Sequence, residues 1–232
     1  MIVYDGVSLE SIADVKIEDV RVYPIEYEET TRARAITGGS EFVRSRAGTR
    51  TISITFALLD DNQVCRQAAL LGISQWAKND KEYRLDLPGH PDHYLMAICT
   101  EKPEPSLRQW WESKLRLTFT CYDNPYWNSI VEKSVSCGDD FYVLGDAPPL
   151  MRIERTLSSD ASNQSYAMGG NTITFSTIPT GDMVIDLNKQ TAVSGLNNLM
   201  QYYNVNSRFL VPKTGSAKIT GTGTVKYRER WQ

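Results

Sequence analysis

Val225-Lys226-Tyr227-Arg228-Glu229-Arg230-Trp231-Gln232 closes the sequence, led in by Lys213-Thr214-Gly215 and by Ile219-Thr220-Gly221-Thr222-Gly223-Thr224. Val225, Tyr227 and Trp231 hold the odd positions, with Lys226, Arg228 and Arg230 between them, which is the period of a half-buried strand. Glu229 interrupts the apolar face. A chain end stays ordered when pairing ties it down. This glycine-punctuated, β-branched run is therefore expected to be a final strand set into a sheet.

Working back from it, residues 128–232 hold no long helical period. Strand-like runs alternate with turns: Met151–Leu157, Thr172–Phe175, Met183–Asp186, Arg208–Val211 and Ala217–Thr220. That spacing suggests a β-sandwich of about 100 residues. The break from the first half is expected near residue 135, dividing the chain into 1–135 and 136–232.

The first half has its own strands. Thr51-Ile52-Ser53-Ile54-Thr55-Phe56-Ala57-Leu58 alternates cleanly, with Ile52, Ile54, Phe56 and Leu58 on one face. Asp60-Asp61-Asn62 is a helix-start cluster, and a helix is expected over about 63–79. Cys65, Ala69, Ile73 and Trp76 would form its apolar face. Lys81–Leu87 and His93–Thr100 read as strands joined by Pro88-Gly89-His90-Pro91. Lys114–Tyr122 is another, alternating Leu115, Leu117, Phe119 and Cys121 with polar residues, and it stops at Asp123-Asn124-Pro125.

Charge is unevenly spread. The first 31 residues carry eight acids (Asp5, Glu10, Asp14, Glu18, Asp19, Glu26, Glu28 and Glu29) against Lys16 and Arg21. Residues 32–50 reverse the balance, with Arg32, Arg34, Arg44, Arg46 and Arg50 against Glu41. Gly38-Gly39-Ser40 is a turn signal, so Arg32–Thr37 and Glu41–Arg46 can be the arms of a hairpin. With few large apolar residues, such an arm makes poor core. It suits contacts between identical subunits, where unlike patches meet head to tail; a solvated surface loop is the plainer reading.

Composition excludes several classes. The 232 residues are 41% apolar and 23% charged, ordinary for a globular protein. A net charge of −3 argues against a general nucleic-acid binder, whose phosphate contacts need a basic excess. No run of about 18 apolar residues is present to span a membrane, and the N-terminus lacks the regions of a secretory signal. Cys65, Cys99, Cys121 and Cys137 show no metal or redox spacing, so reduced, mostly buried thiols and a cytoplasmic folding compartment are expected.

Candidate chemistry is thin. His90-Pro91-Asp92-His93 could offer metal ligands, but the proline makes a surface turn the better reading. No nucleophile elbow, Walker loop or His-Glu-x-x-His motif occurs, and Gly221-Thr222-Gly223 reads as a strand turn. Asp139-Asp140 would need a facing carboxylate to hydrolyse a glycoside. Trp110-Trp111 and Tyr202-Tyr203 could stack on sugar rings or pack at a domain or subunit contact. No enzyme activity and no cofactor is expected.

The order of these features resembles the siphophage distal tail protein family, the baseplate hub component of long-tailed bacteriophages. Gly48-Thr49-Arg50-Thr51-Ile52-Ser53-Ile54-Thr55-Phe56 is similar to the family's Gly-x-Arg strand, followed by an acidic turn and the single helix. Leu115-Arg116-Leu117-Thr118-Phe119-Thr120-Cys121-Tyr122-Asp123-Asn124-Pro125-Tyr126 resembles the strand and corner that close its N-terminal domain. Met183-Val184-Ile185-Asp186, Arg208–Gly215 and the terminal Tyr227–Trp231 complete the likeness, which covers nearly the whole chain.

The resemblance implies a mainly β protein. An N-terminal β-sandwich with one helix and a protruding hairpin (about 30–50) would form the ring, followed by a C-terminal galectin-like β-sandwich. It implies a non-enzymatic part of the virion tail tip, assembled in the host cytoplasm as a hexameric ring, single or double. Arg32, Arg34, Arg44 and Arg46 would lie on the belt that reaches a neighbouring subunit. Expected partners are further copies of the chain, the tail tube protein, the tail-associated hub protein, the tape measure protein and a receptor-binding protein. DNA would pass the channel without specific binding, and no membrane is engaged. The second half lacks the His-x-Asn-x-Arg and Trp-x-x-Glu pattern of sugar-binding galectins. Two other readings remain: a carbohydrate-binding module contacting the host cell wall, and a tail tube protein.

Overall fold

In a computed structural model of the chain, the described residues are 1–33, 40–60, 62–103 and 114–232, with the side chains of 32–33, 40–42 and 44–45 also left out of account. The fold is mainly β, with one α-helix among the described residues. Two compact units divide it: Met1–Trp127 with Gln232, and Asn128–Trp231. The break falls at Trp127/Asn128, where the sequence reading puts it near residue 135. Lys133–Ser136 accounts for the difference, because it pairs with the terminal strand and so goes with the second unit.

The first unit is built on an antiparallel sheet in the order Val15–Val22, Arg50–Leu58, Leu115–Cys121, His93–Glu101, Tyr83–Asp86, Val3–Tyr4. Ile54 sits opposite Val20 on one side and Leu117 on the other. Ile52, Ile54, Phe56 and Leu58 are buried, as their alternation requires, and Leu115, Leu117, Phe119 and Cys121 join them.

The helix runs Gln63–Trp76, three residues short of the expected end. Asn62 caps it, its side-chain oxygen accepting from Val64 N–H at 2.8 Å; Asp61 lies outside the described residues. Ala69, Leu70, Ile73 and Trp76 are buried. Cys65, expected on that face, is exposed. Arg66 of the same turn folds back instead, donating to the carbonyls of Leu58 and Asp60. Trp76 meets Tyr4 and Phe119 edge to face, and Tyr4 also meets Phe119 at 5.0 Å.

The second unit has a larger sheet in the order Lys133–Ser136, Thr224–Trp231, Ala147–Leu157, Gly181–Asp186, Thr191–Ser194. The terminal strand is thus paired on both sides. Its odd residues Val225, Tyr227 and Glu229 are buried. Glu229 is satisfied there, its Oε1 accepting from Lys133 Nζ at 2.7 Å and from Leu144 N–H at 2.8 Å. Two smaller ladders supply the second layer: Asp140–Val143 with Gly215–Lys218, and Ala161–Met168 with Asn171–Ile178. Met151, Ile153, Met183, Ile185, Val225 and Tyr227 share one core with Tyr166, Ile173, Phe175 and Ile219.

Arg208–Val211, expected as a strand, is irregular. Its only apolar residue carried fully inside is Leu210, and side-chain and backbone bonds hold the run instead: Arg208 N–H donates to Thr172 O at 2.9 Å and Asn171 Nδ2 to Phe209 O at 3.2 Å. Pro212, just beyond, has no N–H to offer a ladder.

Candidate assembly surface

The most unusual element of the first unit is a hairpin, Tyr27–Ala33 with Ser40–Ala47. It forms a two-stranded sheet of its own, paired among the described residues to no other strand. Two-stranded ribbons are marginal in water without a surface to pack on. Of its described side chains, Glu26 to Thr31, Val43 and Arg46 are all exposed, with Tyr27 49% and Val43 54% accessible. Its edges present unpaired backbone donors and acceptors, a template for association.

The root is held firmly. Ile25 is buried in the first unit. Glu26 N–H donates to Thr49 O at 2.8 Å, and Gly48 N–H to Glu26 O at 2.7 Å. A side chain at Gly48 would come within 2.9 Å of the Glu26 carbonyl oxygen, so only glycine permits this approach.

The strands run Tyr27–Ala33 and Ser40–Ala47; the expected arms are Arg32–Thr37 and Glu41–Arg46, of which 34–37 lie outside the described residues. Glu28 stands opposite Arg46 and Glu41 opposite Arg32, with a bulge after Thr30. Arg46 reaches Glu28 at 2.5 Å, both groups exposed.

The end of the acidic stretch, with Glu28 and Glu29, and the basic stretch are therefore strands of one ribbon, and Arg46 is already matched within it. Arg32 and Arg44 lie on its strands, opposite Glu41 and Thr30. Arg34 and the Gly38-Gly39 turn lie outside the described residues. Glu28 and Tyr27 were missed as hairpin residues, although the opposite-charge match of Glu28 with Arg46 was a usable signal.

The other candidates are not gathered into a site. His90 lies against Trp127, ring centres 4.2 Å apart. Among the described residues no three His, Cys, Asp or Glu side chains converge as for a metal. Tyr203 stacks on Phe209 and donates its hydroxyl to Ser207 O at 2.7 Å. Tyr202 packs against the same core, so neither tyrosine presents an open platform. Trp110-Trp111 lie outside the described residues. All four cysteines are free. Burial pushes the Cys99 thiol up to about 11 and that of Cys121 to about 12, the latter despite the nearby Arg50 charge. No helix among the described residues is long and apolar enough to cross a membrane.

No known family model matches the chain, and no curated protein matches it in sequence. Its fold does have a match. The crystal structure of the SPP1 Dit protein, described as a paradigm of hub adsorption apparatus in phages infecting Gram-positive bacteria, superposes over 100% of this chain and 98% of its own, with a TM-score of 0.76 at 15% identity.

The chain has the Dit fold.

Two structures of the phage p2 baseplate in its activated conformation, with Sr and with Ca, are more distant. They cover 95% and 92% of this chain at 8% and 9% identity, with TM-scores of 0.43 and 0.39. The Dit match spans both units, so the whole order of elements is shared and not one sandwich alone.

Proposed function

We propose that this chain is a structural protein of a bacteriophage tail tip, a hub that assembles as a hexameric ring and has no catalytic role. The match of the whole chain to the Dit fold carries this reading. The ribbon supports it, because a polar hairpin paired to no other strand among the described residues gains stability from a neighbour. The first unit is the ring-forming domain, and the ribbon is the belt, with Arg32, Arg34, Arg44 and Arg46 meeting acidic residues of the next copy. The second unit is the galectin-like sandwich. The ring joins the tail tube protein to the tail-associated hub protein, with the tape measure protein on the axis and a receptor-binding protein outside.

Light scattering of the purified protein, with negative-stain images of the peak, tests this reading. Rings of six or twelve subunits are expected. Long tubes would overturn it in favour of a tube protein, and a strict monomer at high concentration that binds host cell-wall glycan would overturn it in favour of a binding module.

A further inference from the structure

The smaller layer of the second unit is split. Among the described residues, Gly215–Lys218 is laddered only to Asp140–Val143, and Ala161–Met168 only to Asn171–Ile178. The two ladders meet at one point, where Ala167 N–H donates to Thr220 O at 3.1 Å and Thr220 N–H to Ala167 O at 2.9 Å. Gly221 follows that bridge at φ +137°, and a side chain there would overlap the Tyr166 ring. The junction is thereby pinned, while the strands on either side of it remain unpaired to each other.

A cleft of about 480 Å³ opens between them, lined by residues of both, a size that suits a short bound segment. In an antiparallel pair, alternate backbone groups point away from the partner strand. Gly215–Lys218 therefore offers donors and acceptors along its free edge. Met168, Val211 and Ala217 make the apolar lining, with Val211 half exposed. Lys213 and Lys218 stand on the rim with Asp140. Lys218 reaches Asp140 at 3.4 Å, and Lys213 has no ion pair among the described residues.

We propose that this cleft accepts an extended, acidic peptide segment of a partner protein. The segment adds to the free edge of Gly215–Lys218 by main-chain hydrogen bonds, sets apolar side chains on Val211 and Ala217, and places a carboxylate on Lys213. This is strand addition, in which the main chain supplies affinity and alternate side chains supply selectivity. A sugar fits less well, because among the described residues no aromatic side chain lines the cleft and Tyr202 and Tyr203 are packed on the core. The proposal concerns the second unit by itself and does not depend on ring assembly.

Fluorescence polarisation of the full chain with a labelled hexapeptide alternating valine and glutamate is the test. Binding is expected, weakened about fivefold or more by Lys213→Glu and likewise by Val211→Asp. It should be lost when alternate peptide amides are N-methylated, a change that leaves the protein untouched. Equal binding of a valine–lysine hexapeptide, equal binding of the methylated one, or no binding of the acidic peptide would overturn the proposal. Binding of an acidic oligosaccharide in place of the peptide would overturn it too, and would assign the cleft to a glycan.

Discussion

Glu229 is the residue at which the terminal strand departs from its apolar pattern, and its partners explain why the departure is tolerated. A buried carboxylate is costly unless charge and hydrogen bonds meet it. Lys133 and the Leu144 amide do so from two different segments. Glu229→Ala should cost about 1–3 kcal/mol and Glu229→Gln less, read as a shift in the urea midpoint. Gly221 is a second such point: with φ +137° and the Tyr166 ring against it, Gly221→Ala should destabilise by about 1–3 kcal/mol in the same assay. The buried thiols give a pH signature. Their folded values lie above the ordinary 9.0, so the stability they contribute is full below pH 9.0 and is lost as pH rises through about 11 and about 12. Urea midpoints should fall on the alkaline side, and Cys121→Ala together with Cys99→Ala should flatten that fall. In the native protein the exposed Cys65 should take up a thiol reagent well before Cys99 and Cys121.

At the scale of elements, the hairpin ribbon matches Glu28 with Arg46. Exposed ion pairs are worth about 0–1 kcal/mol each, so this one is cheaply exchanged for a partner on another copy. Reversing Arg32, Arg34, Arg44 and Arg46 together to glutamate should shrink the assembly seen by light scattering while leaving the monomer's circular dichroism unchanged. The swap Glu28→Arg with Arg46→Glu keeps the internal pair but removes the arginine offered to the next copy at position 46, and should weaken assembly in the same measurement. Other elements were legible to different degrees. Arg50–Leu58 and Leu115–Cys121 were, because strict alternation leaves one burial pattern. Ala161–Met168 was not: Ser162, Asn163, Gln164 and Ser165 are polar, and the strand exists because Asn171–Ile178 supplies its ladder. Arg208–Val211 had the composition of a strand but is held to Asn171–Ile178 by one backbone bond, Arg208 to Thr172, and the Asn171 side chain, not by a ladder.

For the whole molecule, the likeness to Dit covers both units at 15% identity, a level at which residues have been exchanged while the order of strands has been kept. Light scattering of a chain in which residues 27–47 are replaced by a short glycine-serine linker should find folded monomers in place of rings, with thermal unfolding still cooperative. The sequence by itself determined the mainly β class, the helix after Asn62 and the existence of an arginine-rich hairpin. Each of these follows from periodicity or composition, which act over a few neighbouring residues. The tertiary structure alone decided that Glu28 and Glu29 share one ribbon with the basic stretch, that the ribbon has no partner strand among the described residues, that Tyr202 and Tyr203 pack on the core, and that the second unit's smaller layer is split beside Lys213. Those features depend on which distant segments pair, and pairing between segments far apart in the chain leaves no local period to read.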